Sequence, residues 1–257
     1  MFIDYHIHVL AHGEFKYSAQ WIGEYLKHAR TKGIVEVGFC EHDWYFDQID
    51  IPSIISASRN DTEGPKVRIG LEVDYLPERE NEIMAMVKGK DFDYVIGSIH
   101  HINGWPFDHP DYKAEYEKRD IDELYQSYYE LVGRAVRSGV FDVLGHLDLV
   151  KVWGHRPRKQ SQLDFVRPLL SVFRESGIVP EINSAGMRKP VGEMYPSQIL
   201  INELFAANIP ITIGSDAHRP EDVGEGLTEV IAGAWQAGYR YVTCFDKRQK
   251  MPVLIVK

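Results

Sequence analysis

The sequence predicts a parallel α/β barrel in one domain, and three observations lead to it. Short β-branched runs alternate with amphipathic helical patterns along all 257 residues, the pattern of repeated strand–helix units. Within several runs one parity is apolar and the other ends in metal-type side chains. No glycine-rich phosphate loop follows an early run, as an open doubly wound sheet would normally require. A barrel accounts for the parity, because its inward residues converge at the C-terminal mouth while helices cover the outer face.

The strand-like runs are Phe2–Ile7, Ile34–Cys40, Val67–Val73, Tyr94–Ile99, Phe141–Leu147, Ile178–Asn183 and Ile209–Gly214. Val67, Ile69, Leu71 and Val73 share one face of the third, against Gly70 and Glu72. In the same way Ile3, Tyr5 and Ile7 oppose Asp4, His6 and His8, and Ile211 and Ile213 oppose Gly214, Asp216 and His218. Between the runs, Trp21, Ile22, Tyr25, Leu26 and Ala29 form one helical face before Gly33. Asp120–Arg137 places Leu124, Tyr128, Leu131, Val132 and Ala135 together, and Gly139 suits the stop. Leu169, Leu170 and Phe173 precede Gly177, and Leu227, Ile231, Ala234 and Trp235 precede Gly238. Two further strands are expected at Tyr241–Phe245 and Pro252–Val256. The stretch from Ile102 to Asp120 has no clear period and reads as a long functional loop. With no linker or repeat, residues 1–257 are expected to form one domain.

An apolar fraction of 44% is ample for a core, and a net charge of −9 argues against non-specific nucleic-acid binding. It does not exclude an anionic substrate, because bound cations reverse the sign locally. Two cysteines, Cys40 and Cys244, are too few for a disulfide framework. No leader or membrane-length apolar stretch is visible, so a cytoplasmic enzyme without a membrane partner is the expectation.

Seven of the eleven histidines fall at or just after a strand-like run: His6, His8, His12, His42, His100, His146 and His218. Glu72 and Asp216 join them. Singly, a strand-end histidine is more often an ordinary polar residue. Jointly, these side chains exceed the needs of one ion, since three protein ligands are typical of catalytic zinc. Imidazole with carboxylate suits two or three ions of zinc, manganese or iron, and Glu72 is the natural bridge. Closely spaced ions lower the pKa of a bridging water and clamp the attacking and leaving oxygens, which is chemistry for phosphate esters. His28, His101, His109 and His155 keep an ordinary polar reading, and Cys40 that of an inert buried thiol.

Asp4-x-His6-x-His8, Glu41-His42, Glu72, His100, His146 and Ser215-Asp216-Ala217-His218, in this order, resemble the polymerase-and-histidinol-phosphatase (PHP) superfamily. The resemblance covers nearly the whole chain. It implies a distorted (β/α)7 barrel with a trinuclear metal site at its C-terminal mouth. It assigns His6, His8, Glu72 and Asp216 to one ion, His12, His42 and His218 to a second, and Glu72, His100 and His146 to a third. Asp4 becomes the orienter of a ligand imidazole. The segments Gly97–Asp108, Phe141–Asp148 and Glu181–Arg188 are similar to those of histidinol-phosphate phosphatases. They imply hydrolysis of L-histidinol phosphate, a small phosphorylated substrate, by a metal-bridging hydroxide. Arg188, Lys151 and Arg158 are the expected phosphate-binding residues, and Asp43 and His101 the expected acids beside the metal ligands. The Trp105–Asp108 loop is expected to cover the imidazole end of the substrate. The rival readings are a PHP-family phosphoesterase for nucleotides, nucleic-acid ends or phosphotyrosine, a metal-dependent amidohydrolase, and a non-catalytic binding barrel.

Overall fold

The computed structural model describes residues 2–255. Seven strands form one parallel sheet: β1 (Phe2–Ile7), β2 (Ile34–His42), β3 (Lys66–Asp74), β4 (Tyr94–Ser98), β7 (Val143–Leu144), β8 (Val179–Asn183) and β9 (Thr212–Gly214). They lie side by side in chain order, interrupted in sequence only by a two-stranded hairpin, β5 (His101–Ile102) with β6 (Trp105–Pro106). β9 returns to β1: the His8 N–H donates to the Ala217 carbonyl (2.8 Å) and the Ala217 N–H to the His6 carbonyl (3.1 Å). The sheet is thus a nearly closed seven-stranded barrel, as expected, and the Asp4–His8 and Asp216–His218 segments meet at its closure.

The helices are α1 (Ala19–Thr31), α2 (Ile51–Asn60), α3 (Glu80–Val87), α4 (Ile121–Arg137), α5 (Gln162–Val166), α6 (Leu170–Ser176), α7 (Gln198–Ala206) and α8 (Leu227–Ala237). Side-chain oxygens satisfy the first amides of the long ones: Ser18 accepts from Trp21 N, and Asp120 from Asp122 N and Glu123 N. Gly177, at φ +70°, ends α6 in the left-handed conformation that lacks a Cβ penalty. Among the described residues a hairpin of β10 (Tyr241–Asp246) and β11 (Gln249–Leu254) follows, matching the two late strands; Val256 lies outside the described residues.

An aromatic floor closes the end of the barrel opposite the strand C-termini. Tyr94 fills the interior, its hydroxyl donating to the Tyr5 carbonyl (2.8 Å), and it fits because β2 and β3 present Gly38 and Gly70 to its ring. Phe245 packs 5.7 Å from the Tyr5 ring and 5.8 Å from that of Tyr94. The C-terminal mouth is left open to a ligand.

Two expectations need correction. Tyr5 does not share a face with Ile7. The register of β1 on β2 slips between Asp4, beside Val37, and Ile7, beside Phe39. Three steps on one strand match two on the other, a bulge that breaks the alternation. Tyr5 therefore packs in the cluster of Cys40 and Tyr94, while Ile7 packs with Ile22, Val37 and Phe39 beneath α1. The 102–120 stretch is also not structureless. It holds β6 and a 3-10 segment over Pro110–Lys118, and Trp105 is 7% exposed, against Tyr116 (5.0 Å) with the Arg119 guanidinium over it. Trp105 itself belongs to the core, while Pro106 and Asp108 of the same loop line the cavity.

Candidate metal centre

β3 delivers Glu72 to the barrel axis, and five imidazoles surround it. His42 Nδ1 lies 2.8 Å from its carboxylate, His146 Nε2 3.2 Å, His6 Nε2 and His8 Nε2 each 3.4 Å, and His100 Nε2 3.8 Å. Ser98, at the end of β4, donates its hydroxyl to Glu72 Oε1 (2.6 Å). Asp216 Oδ1 approaches His8 Nε2 at 3.5 Å and His6 Nε2 at 3.8 Å across the barrel closure. Three donor groups result. His6 and His8 face Glu72 and Asp216. His8, His42 and His218 converge within 4.8 Å, as do Glu72, His100 and His146. His12 stands over the second group, its ring 4.3 Å from His218 and 5.0 Å from His42. All nine side chains expected to bind metal are therefore brought together, and His8 joins the histidines of the second group.

The electrostatics divide the imidazoles. Against burial, the Glu181, Glu72 and Asp216 carboxylates hold His6 well above the usual histidine range, and Asp74, Asp108 and Glu72 take His100 to about 10. Others are pushed down. Burial and the neighbouring rings of His42 and His218 push His8 well below the usual histidine range, and burial with the His12 and His42 rings beside it takes His218 to about 3. Such imidazoles are neutral and carry a free lone pair. Burial works to raise Glu72, yet the imidazoles of His6, His42 and His146 hold it well below the usual carboxylate range, so it is ionised. Nε2 of His6, His42 and His218, both nitrogens of His8 and Nδ1 of His146 are buried without a hydrogen-bond partner among the described residues. Each buried unpaired polar atom costs roughly 1–3 kcal/mol. Six of them would consume a large part of a folding stability of about 5–15 kcal/mol. Coordination to ions removes that cost, and the mixed imidazole and carboxylate donors fit two or three ions of zinc, manganese or iron. Cys40 lies near His6 and His8, but burial drives its thiol pKa up and it contacts the Tyr5 carbonyl (3.6 Å), so the carboxylates are the better ligands.

Several positioning roles escaped the sequence reading, including that of Glu41, which stands in the Glu41-His42 motif quoted above. Glu181, on β8, holds His6 Nδ1 at 2.8 Å and accepts from His146 N (3.1 Å), fixing one imidazole and the backbone of another. Glu41 accepts from Val9 N, from Leu10 N (2.9 Å) and from the Tyr17 hydroxyl (3.2 Å), tying down the loop that leads to His12. Asp74 takes His101 Nδ1 at 2.7 Å. An acidic residue inside an otherwise apolar buried run, as Glu181 is, was the available signal. Asp4 corrects another expectation. Its carboxylate accepts from Ser215 N (2.8 Å), Ser215 Oγ (2.5 Å) and Gly224 N (2.9 Å), so it fixes the backbone before Asp216 and touches no imidazole. Backbone strain also gathers here: His12, His146 and Asp216 all have positive φ, at 58°, 24° and 55°.

The other expected residues divide. Arg188 donates through Nη2 to the carbonyls of Ser215 (2.8 Å) and Asp216 (3.3 Å), and its buried Nη1 has no partner among the described residues. His101 lines the cavity, of about 360 Å³, together with Trp44, Asp108, Lys189 and the donors above other than His6 and His8, which lie buried behind it. Lys151 is not at the site. It is fully buried, its ammonium held by Asp148 (2.9 Å), the Met194 carbonyl (2.8 Å) and Glu193 (3.3 Å). Arg158 is exposed, with its backbone N–H on Asp122. Asp43 is turned toward the Arg79 guanidinium (2.7 Å) and the Asp74 N–H (3.1 Å) and does not line the cavity.

The comparisons with known proteins agree with this geometry. A family model described as PHP domain matches residues 4–185, and one described as PHP-associated matches 206–234. A probable histidinol-phosphatase of Deinococcus radiodurans is 41% identical over 186 residues, 72% of this chain and 70% of the relative. The histidinol-phosphatase of Bacillus subtilis is 28% identical, over 86% of this chain and 95% of its own. The same fold occurs in the crystal structure of histidinol phosphate phosphatase from Lactococcus lactis complexed with zinc, L-histidinol and phosphate. That similarity has a TM-score of 0.78 and 21% identity, covering 97% of this chain and 98% of the other.

Proposed function

The chain belongs to the PHP-domain family of metal-dependent phosphoesterases, and from that premise we propose that it hydrolyses L-histidinol phosphate to L-histidinol and phosphate. The observation that carries the reading is the Glu72 carboxylate with five imidazoles within 3.8 Å of it, at the open end of the barrel. We assign His6, His8, His12, His42, Glu72, His100, His146, Asp216 and His218 as metal ligands. Bound there, zinc, manganese or iron ions supply Lewis acidity, neutralising phosphate charge and making water nucleophilic near neutral pH.

The chain's own groups do the rest. Arg188 does not itself line the cavity. Clamped by the Ser215 and Asp216 carbonyls through Nη2, directly behind cavity-lining Asp216, it is the guanidinium assigned to meet the phosphate charge that builds as the ester bond breaks. It does so through its buried Nη1, unpartnered among the described residues. His101, held at Nδ1 by Asp74, presents Nε2 as the proton donor to the leaving alkoxide. The Asp108 carboxylate in the cavity wall suits a cationic leaving alcohol such as histidinol. The buried free cysteines support a reducing, cytoplasmic setting, and among the described residues no helix is long and apolar enough to cross a membrane. The net charge of −9 supports a small substrate rather than nucleic acid. Residues 1–257 act as one catalytic domain in this reading.

Phosphate release from L-histidinol phosphate, compared with nucleotides and aryl phosphates on the same metal-analysed sample, tests it. A preference of at least about tenfold in kcat/KM, or about 1.4 kcal/mol, is expected. Equal turnover of the panel would overturn the substrate assignment and leave the metal-dependent phosphomonoesterase.

A further inference from the structure

Two aromatic side chains other than histidine line the cavity, buried Tyr195 in its wall and exposed Trp44, and neither belongs to the 102–120 stretch. Trp44, immediately after Asp43, is 54% exposed and lines the cavity mouth, its ring 6.5 Å from that of His101. An indole so exposed would usually be mobile, but this one is fixed from behind. The Arg79 guanidinium lies 4.9 Å from its ring centroid, and Arg79 is in turn held by buried Asp43 and by Glu82, each at 2.7 Å. Asp43 also accepts from the Asp74 N–H (3.1 Å), and Asp74 holds His101. The indole is thus braced, through the Arg79 and Asp43 side chains, to the same strand end that positions the candidate acid.

We propose that Trp44 is the residue that selects the alcohol half of the substrate, stacking on a planar aromatic ring while the phosphate sits among the metal ligands. This deepens the proposed function and rests on the phosphomonoesterase reading. A rigid aromatic surface at the mouth binds a flat ring with little loss of side-chain freedom, and offset stacking adds attraction beyond the buried area. His101 lies beside the indole, so a ring stacked on Trp44 carries its ester oxygen toward the proton donor. An aliphatic alcohol gains nothing from the indole.

The test compares kcat/KM for an aromatic and an aliphatic phosphomonoester, L-histidinol phosphate and glycerol 2-phosphate, in the metal-replete protein. Trp44→Ala is expected to lower the aromatic-over-aliphatic preference about tenfold, with the change in KM, and Trp44→Phe to restore most of it. An unchanged preference in Trp44→Ala, or an equal loss for both esters, overturns the proposal. If the unaltered protein prefers an aryl phosphate to L-histidinol phosphate, the substrate assignment falls. The Trp44 preference is then read on phenyl phosphate against glycerol 2-phosphate. Melting temperature and metal content of each variant separate a folding defect from lost recognition.

Discussion

Glu72→Gln is expected to lower phosphate release by at least about a thousandfold, because it removes the charge around which the metal site is assembled. The substitution keeps the size of a side chain that is 1% exposed, and Ser98 still has an oxygen to donate to. What changes is electrostatic. The carboxylate is the one anion that lies within 3.8 Å of all five of His6, His8, His42, His100 and His146. It belongs to two of the three donor groups. An amide binds hard or borderline cations far more weakly than a carboxylate and cannot bridge two of them. Rate and metal content are therefore expected to fall together, with the fold retained by circular dichroism. A Glu72→Gln protein with full turnover and normal metal content would contradict the role given to Glu72.

Arg188→Ala is expected to cost about 100- to 1000-fold in kcat/KM, in the range seen when a preorganised donor to developing charge is lost. Its geometry has two halves. Nη2 is committed to the carbonyls of Ser215 and Asp216, whereas Nη1 is buried and unpartnered among the described residues. A lysine supplies charge but cannot make both contacts, so Arg188→Lys should recover only part of the loss. Inorganic phosphate should inhibit both variants less strongly than the parent, with metal content preserved. Loss of metal in Arg188→Ala, with unchanged phosphate inhibition, would instead mean that Arg188 acts by holding the backbone around Asp216.

Much of this site was legible from the chain because metal-type side chains are uncommon at strand ends and β-structure has a period of two. His6 and His8, and Asp216 and His218, announced themselves as pairs, and Glu72 stood alone among apolar neighbours. The seven parallel strands followed from the repeated alternation of β-branched runs and helical faces. Other features depend on contacts that sequence spacing does not encode. The bulge in β1 moves Tyr5 inward without changing the apparent alternation. Glu181 meets His6 across 175 positions. Lys151 carried a charge at a suggestive distance from His146, yet Asp148, three residues earlier, pairs with it inside the protein. Trp105 and Trp44 look equivalent as residues near ligand motifs. Only packing distinguishes the one buried against Tyr116 from the one standing in the cavity mouth.

The central claim is that turnover belongs to a cluster of ions gathered by Glu72. Stripping the protein with a chelator and titrating zinc or manganese back, while following phosphate release from L-histidinol phosphate, tests it most directly. Activity is expected to be absent in the stripped protein and to reach its plateau only at two to three ions per chain. Full turnover by metal-free protein, or a plateau at a single ion, would contradict the account.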